Sequence, residues 1–303
     1  MFEIKTDDKN NRMNVYIDHD IDNRIEDVVE IIRVQRRFLS SNYKSLFLNF
    51  TDCKNIDAAI SVIIGALPVY ARKYKRVVKY CFPEKDKSVL SFMQKVGMYK
   101  FYMKNEIGYT GDNVIPFDCI VNEDMMDKYT DKIMTMAPIR MQKEAQDILS
   151  SYIYEIFQNG LFHSQSPVNV FTSGCWMPDK KEFRFSIYDM GIGIPQKIRD
   201  FMEWQTLTSD KCLKLAFLDG YSTSSNKRVN RGLGLTRLKS FIKLNNGSMT
   251  MYTGDVCYVI EGNKNEYYAE LNPPIMGTLI IISIIADEDN IYIVEKEKKN
   301  DDY

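Results

Sequence analysis

Histidine is scarce in this sequence of 303 residues, with only His19 and His163 present. The six cysteines are dispersed and contain no C-x-x-C pair, so a zinc site would have too few good ligands. Neither the phosphate loop of P-loop NTPases (G-x-x-x-x-G-K-[ST]) nor the nucleophile elbow of α/β-hydrolases (G-x-S-x-G) occurs. The sequence therefore excludes a P-loop enzyme and disfavours zinc and serine-hydrolase chemistry.

An excess of one charge is also lacking, because 40 basic residues balance 41 acidic ones and the net charge is −1. Such a balance offers no general attraction for nucleic acid or an anionic membrane. The apolar stretches at 58–69 and 279–286 are too short to span a bilayer. Residues 1–14 are polar and charged, unlike a signal peptide. We expect a cytoplasmic globular protein with reduced thiols, and neither nucleic acid nor membrane as a partner.

A long amphipathic helix is predicted over residues 139–163. Glu155, Asn159 and His163 follow one another at intervals of four, so they form a stripe beside the buried face. A carboxylate and a carboxamide one turn apart suit a metal-and-water site. The alternative is a partly buried helix with a few solvated polar residues, and His163 is best explained as a helix-end residue that packs locally. Apolar residues recur at helical spacing along the segment: Met141, Ala145, Ile148, Leu149, Tyr152, Ile153, Ile156 and Phe157.

Two glycine motifs follow this helix. Apolar and polar residues alternate over 183–188, which predicts a half-buried strand that ends in Asp189-Met190-Gly191-Ile192-Gly193. Farther along, Arg231-Gly232-Leu233-Gly234 opens a helix that continues to Leu244. Glycines permit close approach of the backbone, and a helix N-terminus attracts phosphate oxygens. Each motif alone predicts only a structural turn.

In this order and spacing, the helix and the two motifs resemble the GHKL superfamily of gyrase, heat-shock-type chaperone ATPases, histidine kinases and mismatch-repair ATPases. The resemblance covers about residues 132–286. The N box looks like Glu155-x-x-x-Asn159, the adenine box like Asp189-x-Gly191-x-Gly193, and the phosphate box like Gly232-x-Gly234. A fourth match is Gly277-Thr278 before an apolar strand. The resemblance implies a Bergerat fold, with helices on one face of a mixed sheet, and ATP and Mg²⁺ as cofactors.

The resemblance also implies roles for the matched residues. Glu155 would orient or deprotonate the nucleophile, and Asn159 would bind Mg²⁺ through its amide oxygen. Asp189 would accept a hydrogen bond from the exocyclic amine of adenine, with Thr278 behind it through water. The other positions implied to contact nucleotide are Gly191, Gly193, Gly232, Leu233 and Gly234.

Residues 194–230 are expected to form the lid over the nucleotide. The stretch from 220 to 228 has small polar residues and two cations, which equally describes a solvated mobile loop. The candidates for phosphate contact here are Ser222, Thr223, Lys227, Arg228 and Arg231.

Residues 1 to about 109 are predicted to be a separate α/β unit, with strands at 13–17, 45–50 and 77–81 and helices at 25–39, 58–73 and 87–96. This stretch resembles a STAS domain, the fold of anti-sigma-factor antagonists, through Leu46–Phe50, Asn55-Ile56-Asp57 and Gly97-Met98. Signalling members carry a phosphorylatable serine after an aspartate in the loop-to-helix turn. Here the turn is Asp57-Ala58-Ala59, which has no hydroxyl group. The resemblance therefore implies a docking, dimerising or sensing module without that switch.

These observations predict a two-domain α/β protein. The expected boundaries are a STAS-like domain at 1–112, a linker with a linking helix at 113–137, a GHKL domain at 138–286 and a solvated charged tail at 287–303. No internal repeat is present.

Three functions remain open from the sequence. The first is an ATPase or a protein Ser/Thr kinase of the anti-sigma type that acts as a switch on a protein partner or within a homodimer. Histidine autokinase activity is disfavoured, since it needs a histidine on a dimerising helix upstream of the ATP domain. The second is a nucleotide-sensing interaction protein with negligible turnover, although the presence of Glu155 favours catalysis. The third is an ATP-independent scaffold.

Overall fold

The computed structural model describes residues 1–103, 111–136, 141–218, 234–263 and 265–285. These residues form a mixed α/β structure with one sheet of four strands and one of seven. The α/β class expected from the sequence is confirmed. None of the helices in the described ranges has both the length and the apolarity needed to cross a membrane.

Residues 1–103, called here the N-terminal unit, contain the four-stranded sheet and the helices connected to it. In chain order the elements are β1 (Glu3–Asp7), β2 (Arg12–Ile17), α1 (Ile25–Ser40), β3 (Ser45–Phe50), α2 (Ser61–Lys73), β4 (Val77–Cys81), α3 (Ser88–Lys95) and α4 (Met98–Met103). The strand order is β1-β2-β3-β4, with β1 antiparallel to β2 and the other pairs parallel. The predicted strands and helices are present, whereas β1 and α4 were not predicted.

The burial of these elements follows their sequence periodicity. In β3 every second residue is buried, namely Leu46, Leu48 and Phe50, as expected for a strand with one face in the core. Helix α2 differs, because every residue from Ser61 to Pro68 is buried. It is covered on both sides, by its own sheet and by the seven-stranded sheet.

The rest of the described chain forms the seven-stranded sheet and its helices. The elements are β5 (Val114–Ile120), α5 (Glu123–Met136), α6 (Lys143–Gln158), β6 (Val170–Met177), β7 (Glu182–Asp189), α7 (Gly193–Met202), α8 (Ser209–Ala216), α9 (Gly234–Leu244), β8 (Ser248–Thr253), β9 (Val256–Glu261), β10 (Asn265–Glu270) and β11 (Thr278–Ile285). A π-helical turn, Asn159–His163, follows α6 directly. The strand order is β10-β9-β8-β11-β7-β6-β5.

The type of sheet and the linker both differ from what the sequence predicted. Every neighbouring pair in the seven-stranded sheet is antiparallel, so the sheet is not mixed. Part of the stretch expected as a linker, Val114–Ile120, is instead the edge strand β5, which pairs with β6. The strand contains Pro116, which cannot donate to a ladder, and its register shifts between Ile115 and Asp118. The linking helix itself is present as α5, which packs on α6.

Both faces of the seven-stranded sheet are covered, one by α5, α6 and α9 and the other by the N-terminal unit. Strand β11 demonstrates this by alternation: Leu279 and Ile281 belong to the core shared with the N-terminal unit. Ile280, Ile282 and Ile284 belong to a second core, with α5, α6 and α9. A strand buried on both faces has no polar alternation, which explains the continuous apolar run in the sequence.

Polar contacts fix the N-terminal unit on β7. Arg184 of β7 forms an ion pair with Asp57, at the start of the turn before α2, and a second with Glu182. Its Nε also donates to Ser283 Oγ at 3.0 Å. Ser186 Oγ donates to the carbonyl oxygen of Ala59 at 2.6 Å. Strand β7 is therefore buried on both faces, and the expectation that it is half-buried is wrong.

Candidate functional site

The candidate site is built around Asp189, the last residue of β7. Its side chain is buried, with only 6% of the residue exposed. Thr278, the first residue of β11, lies opposite it in the antiparallel register. The backbone N–H of Gly191 donates to Asp189 Oδ1 at 2.9 Å. The adenine-box residues and the Gly-Thr pair predicted from the sequence therefore lie together at one edge of the sheet.

Glycine at position 277 is needed for this arrangement. Gly277 has φ +74°, a left-handed conformation that favours glycine. A Cβ atom on it would lie 2.0 Å from the carbonyl oxygen of Asp189 and 2.7 Å from Asp189 Oδ1. Any side chain at this position would collide with the backbone of β7.

Burial controls the charge of Asp189. It raises the pKa of the carboxyl from 3.8 to about 7, against the opposing effect of hydrogen bonds from the backbone of Gly191 and Thr278 and of the charge on Lys197. Burial also lowers the pKa of Lys197, while the Asp189 carboxylate opposes that shift. A carboxyl group that changes charge near neutral pH in a buried position is a common property of binding sites.

This raised pKa predicts a pH-dependent stability that Asp189→Asn removes. The folded protein retains a proton that the unfolded chain releases between pH 3.8 and about 7, so this group's stabilising contribution is complete below pH 3.8. The contribution is lost as the pH rises through about 7, at up to about 1.4 kcal/mol per pH unit. Urea unfolding without nucleotide should therefore show wild type losing stability relative to Asp189→Asn across this window. Parallel pH profiles would contradict the raised pKa.

The end of helix α6 reaches the same site through the π-helical turn. A Cβ atom on Gly160 would lie 3.7 Å from Asp189 Cβ. Four residues later, the carbonyl oxygen of Ser164 accepts the N–H of Ile192 at 3.0 Å. A Cβ atom on Gly191 would lie 2.0 Å from that carbonyl oxygen, so glycine is required there too. Asn159, adjacent to Gly160, is half-buried.

Thr253, the last residue of β8, is a site residue that the sequence analysis missed. Its Oγ1 accepts the N–H of Ile194 at 2.9 Å and lies 3.0 Å from Thr278 Oγ1. Gly193 has φ +77°, and a Cβ atom on it would lie 3.0 Å from Thr253 Oγ1. Thr253 thus joins the glycine motif to the Gly-Thr pair. Only the turn at Thr253-Gly254 could have indicated it.

Glu155 and Gly234 form the second part of the site. A Cβ atom on Gly234 would lie 2.3 Å from Glu155 Oε2, so the carboxylate lies directly against the first residue of α9. Helices α6 and α9 pack side by side, which produces this contact. The predicted catalytic residue and the last glycine of the predicted phosphate box are therefore neighbours.

Asn159 and Glu155 provide hard oxygen donors of the kind that Mg²⁺ prefers. Within the described ranges, no group of three His, Cys, Asp or Glu side chains could hold a metal ion. A single amide oxygen completed by phosphate oxygens and water is a different kind of site, and one that fits Mg²⁺.

The remaining predicted residues lie outside the described residues. They include the phosphate-contact candidates of the expected lid, most of the phosphate box and the charged tail. The positions are Ser222, Thr223, Lys227, Arg228, Arg231, Gly232, Leu233 and 287–303.

Comparison with known proteins gives no family for the chain. No family model matches the sequence, and no curated protein matches it.

Proposed function

We propose that this chain is a cytoplasmic Mg-ATP-binding switch with a Bergerat-type nucleotide site between β7, β11 and the helices α6 and α9. In this proposal residues 138–286 are the nucleotide-binding domain, and the N-terminal unit is a STAS-like docking or dimerising domain. The proposal draws on the order of the sequence motifs together with the geometry around Asp189.

The observation that carries the proposal is the enclosure of the Asp189 carboxyl by glycine backbones at a strand end. A buried oxygen acceptor suits the exocyclic amine of a purine, since an unpaired donor in a dry site would be costly. Because Gly191, Gly193 and Gly277 carry no side chains, the segments around Asp189 pack closely against one another and hold the carboxyl at the strand end. Thr278 and Thr253 supply hydroxyl groups beside the carboxyl.

The chemistry proposed for the phosphate end rests on Glu155 and Asn159. Mg²⁺, held by the amide oxygen of Asn159 and by phosphate oxygens, would offset the charge of the phosphates. Glu155 would take the proton of the attacking hydroxyl group while the hydroxyl oxygen bonds to the γ-phosphorus. The bond between the γ-phosphorus and the bridging oxygen breaks, and ADP leaves. Attack by water makes the chain an ATPase, and attack by a serine or threonine hydroxyl makes it a protein kinase.

The contact between Glu155 and Gly234 also favours a second function, nucleotide sensing without turnover. A carboxylate at the first residue of a helix stabilises that helix by interacting with its positive end. Glu155 could therefore have a structural role. Incubation with γ-labelled ATP separates the possibilities. An ATPase releases the label as free phosphate, a protein kinase transfers it to protein, and a sensor without turnover leaves it in ATP.

The N-terminal unit is proposed to act within its own chain. Its turn at Asp57-Ala58-Ala59 contacts Arg184 and Ser186 of β7, and none of the three turn residues has a hydroxyl group to phosphorylate. A switch that operates through this unit would need a change in docking and not phosphorylation of the turn. A protein partner or a second copy would bind elsewhere on the chain.

The test of the proposal is the affinity for Mg-ATP of Asp189→Asn. The substitution replaces one of the two carboxylate oxygens by an NH₂ group, so the side chain can no longer accept hydrogen bonds from both the N–H of Gly191 and the purine amine. Titration calorimetry should show binding weakened by about 5- to 150-fold, the equivalent of about 1–3 kcal/mol.

Asp179→Asn is the matched control. Asp179 lies in an exposed turn, and its substitution should leave binding unchanged. Equal affinity for the two variants, or no binding by wild type, would contradict the proposed site.

A further inference from the structure

We infer that the N-terminal unit holds the backbone beside the proposed nucleotide site in place, and that Arg36 of α1 is the residue through which it does so. The inference rests on the proposed function. It concerns a residue that belongs to neither glycine motif and is 238 positions from one of its contacts.

Arg36 binds two consecutive carbonyl groups just before the Gly277-Thr278 pair. Its Nε donates to the carbonyl oxygen of Pro274 at 2.6 Å, and its Nη2 donates to that of Ile275 at 3.2 Å. A guanidinium group can hold two acceptors at once because its N–H groups have a fixed planar arrangement. The contact therefore fixes the orientation of the backbone as well as its distance.

The segment held by Arg36 is fixed on its other side by the turn between β8 and β9. The N–H of Ile275 donates to the carbonyl oxygen of Gly254 at 2.8 Å, and that of Leu271 to Asp255 at 2.9 Å. Ile275 itself is buried in the core shared with the N-terminal unit. Residues 271–277 thus lie between the turn that follows Thr253 and helix α1.

The position of this segment controls the shape of the pocket. Gly277, two residues after Ile275, lies against both the carbonyl oxygen and Oδ1 of Asp189. A displacement of the segment would move Gly277 away from Asp189 and Thr278 away from Thr253. Among the described residues of the N-terminal unit, Arg36 is the one whose side chain donates hydrogen bonds to the backbone of residues 271–277.

A second contact of the N-terminal unit supports the same conclusion. Lys73, at the end of α2, donates to the carbonyl oxygen of Pro167 at 2.6 Å. Pro167 follows Ser164, whose carbonyl oxygen packs against Gly191, and Ser166, whose Oγ accepts the N–H of Met190 at 3.3 Å. The N-terminal unit therefore contacts the backbone of both segments that flank Asp189.

Arg36→Ala tests the inference, with Arg37→Ala as the matched control on the same helix. Arg37 is exposed, and its substitution removes the same charge. Arg36→Ala should weaken ADP and ATP binding by the same factor of about ten, because the segment borders the base and not the phosphates. Arg36→Lys should have intermediate affinity, since lysine retains the charge but not the paired donors.

Hydrogen exchange provides a readout that needs no nucleotide. The amide of Ile275 should exchange about tenfold faster in Arg36→Ala than in wild type, and at the wild-type rate in Arg37→Ala. Exchange and affinity that are the same in the two alanine variants would overturn the inference. If wild type bound no nucleotide, the proposed function would fail, and the exchange rate of Ile275 would still decide whether Arg36 holds the segment.

Discussion

Glu155→Gln is expected to bind Mg-ATP within about twofold of wild type while its turnover falls by 10²–10⁴-fold, the typical contribution of a general base. Glutamine has nearly the same shape as glutamate and preserves the packing against Gly234. It cannot accept a proton from a nucleophile. Binding and chemistry should therefore separate in this one variant.

The measurement is release of labelled phosphate, or transfer of label to protein, at saturating ATP, with affinity determined in parallel. Glu144→Gln is the matched control, because Glu144 lies exposed in the first turn of the same helix. Its turnover should equal that of wild type.

A different result would support the sensing function. If wild type and Glu155→Gln bind ATP equally and neither turns it over, Glu155 has a structural role at the start of α9. The variant should then show only the loss in stability typical of a charge at a helix N-terminus, about 0.3–1 kcal/mol. Unfolding experiments on wild type and Glu155→Gln would measure that loss.

Arg184→Ala is expected to lower the free energy of unfolding by about 3–5 kcal/mol, the cost of leaving a buried charge without its partner. The side chains of Arg184, Asp57 and Glu182 are only 15%, 11% and 12% exposed. Removal of the arginine leaves two buried carboxylates close together and also removes the hydrogen bond to Ser283. The two ion pairs hold the guanidinium charged, and they raise its pKa although burial opposes this.

Lys214→Ala provides the comparison for this variant. Lys214 pairs with Asp210, and the two side chains are 58% and 38% exposed. An exposed pair of this kind contributes about 0–1 kcal/mol. In urea unfolding, the loss in the free energy of unfolding should therefore be several-fold larger for Arg184→Ala than for Lys214→Ala. A loss below about 1 kcal/mol for Arg184→Ala would mean that the contact between β7 and the N-terminal unit opens readily.

The elements that the sequence predicted well are those with a strong periodic pattern. Strands β3 and β4 were predicted with their observed bounds, and β11 was predicted as an apolar strand beside Gly277-Thr278. Strand β1 was missed because Ile4 is its only apolar residue, so its structure depends on pairing with β2. Strand β5 was missed because Pro116 argues against a strand unless a register shift accommodates it.

The candidate site was predictable where the chemistry lies within one motif. Asp189, Gly191 and Gly193 follow one strand, and the structure brings Thr278 to them through strand pairing. The contacts of Thr253 and Ser164 were not predictable, because they depend on which strands become neighbours and on where the π-helical turn ends. The same reason applies to Arg36, whose partners are far away in the chain.

The sequence contained one unused indication of how the N-terminal unit is placed. The run from Leu279 to Ile282 is apolar without interruption, which is unusual for an antiparallel strand with a solvated face. Such a run indicates a strand whose two faces are both covered by other parts of the protein. The layer on one of these sides is residues 1–103, whose apolar helix α2 packs against β6 and β7.

The central position of β11 has a consequence for how the protein is made. This strand lies between β7 and β8, yet it comes last in the chain among the strands that the structure describes for this sheet. During translation, the other six strands are synthesised before β11, so β7 and β8 cannot be joined into one sheet until β11 is made. The N-terminal unit leaves the ribosome first and can fold first. Its surface is then available for Tyr188 and Tyr252 to pack against. The incomplete sheet can assemble on that surface instead of associating with other chains.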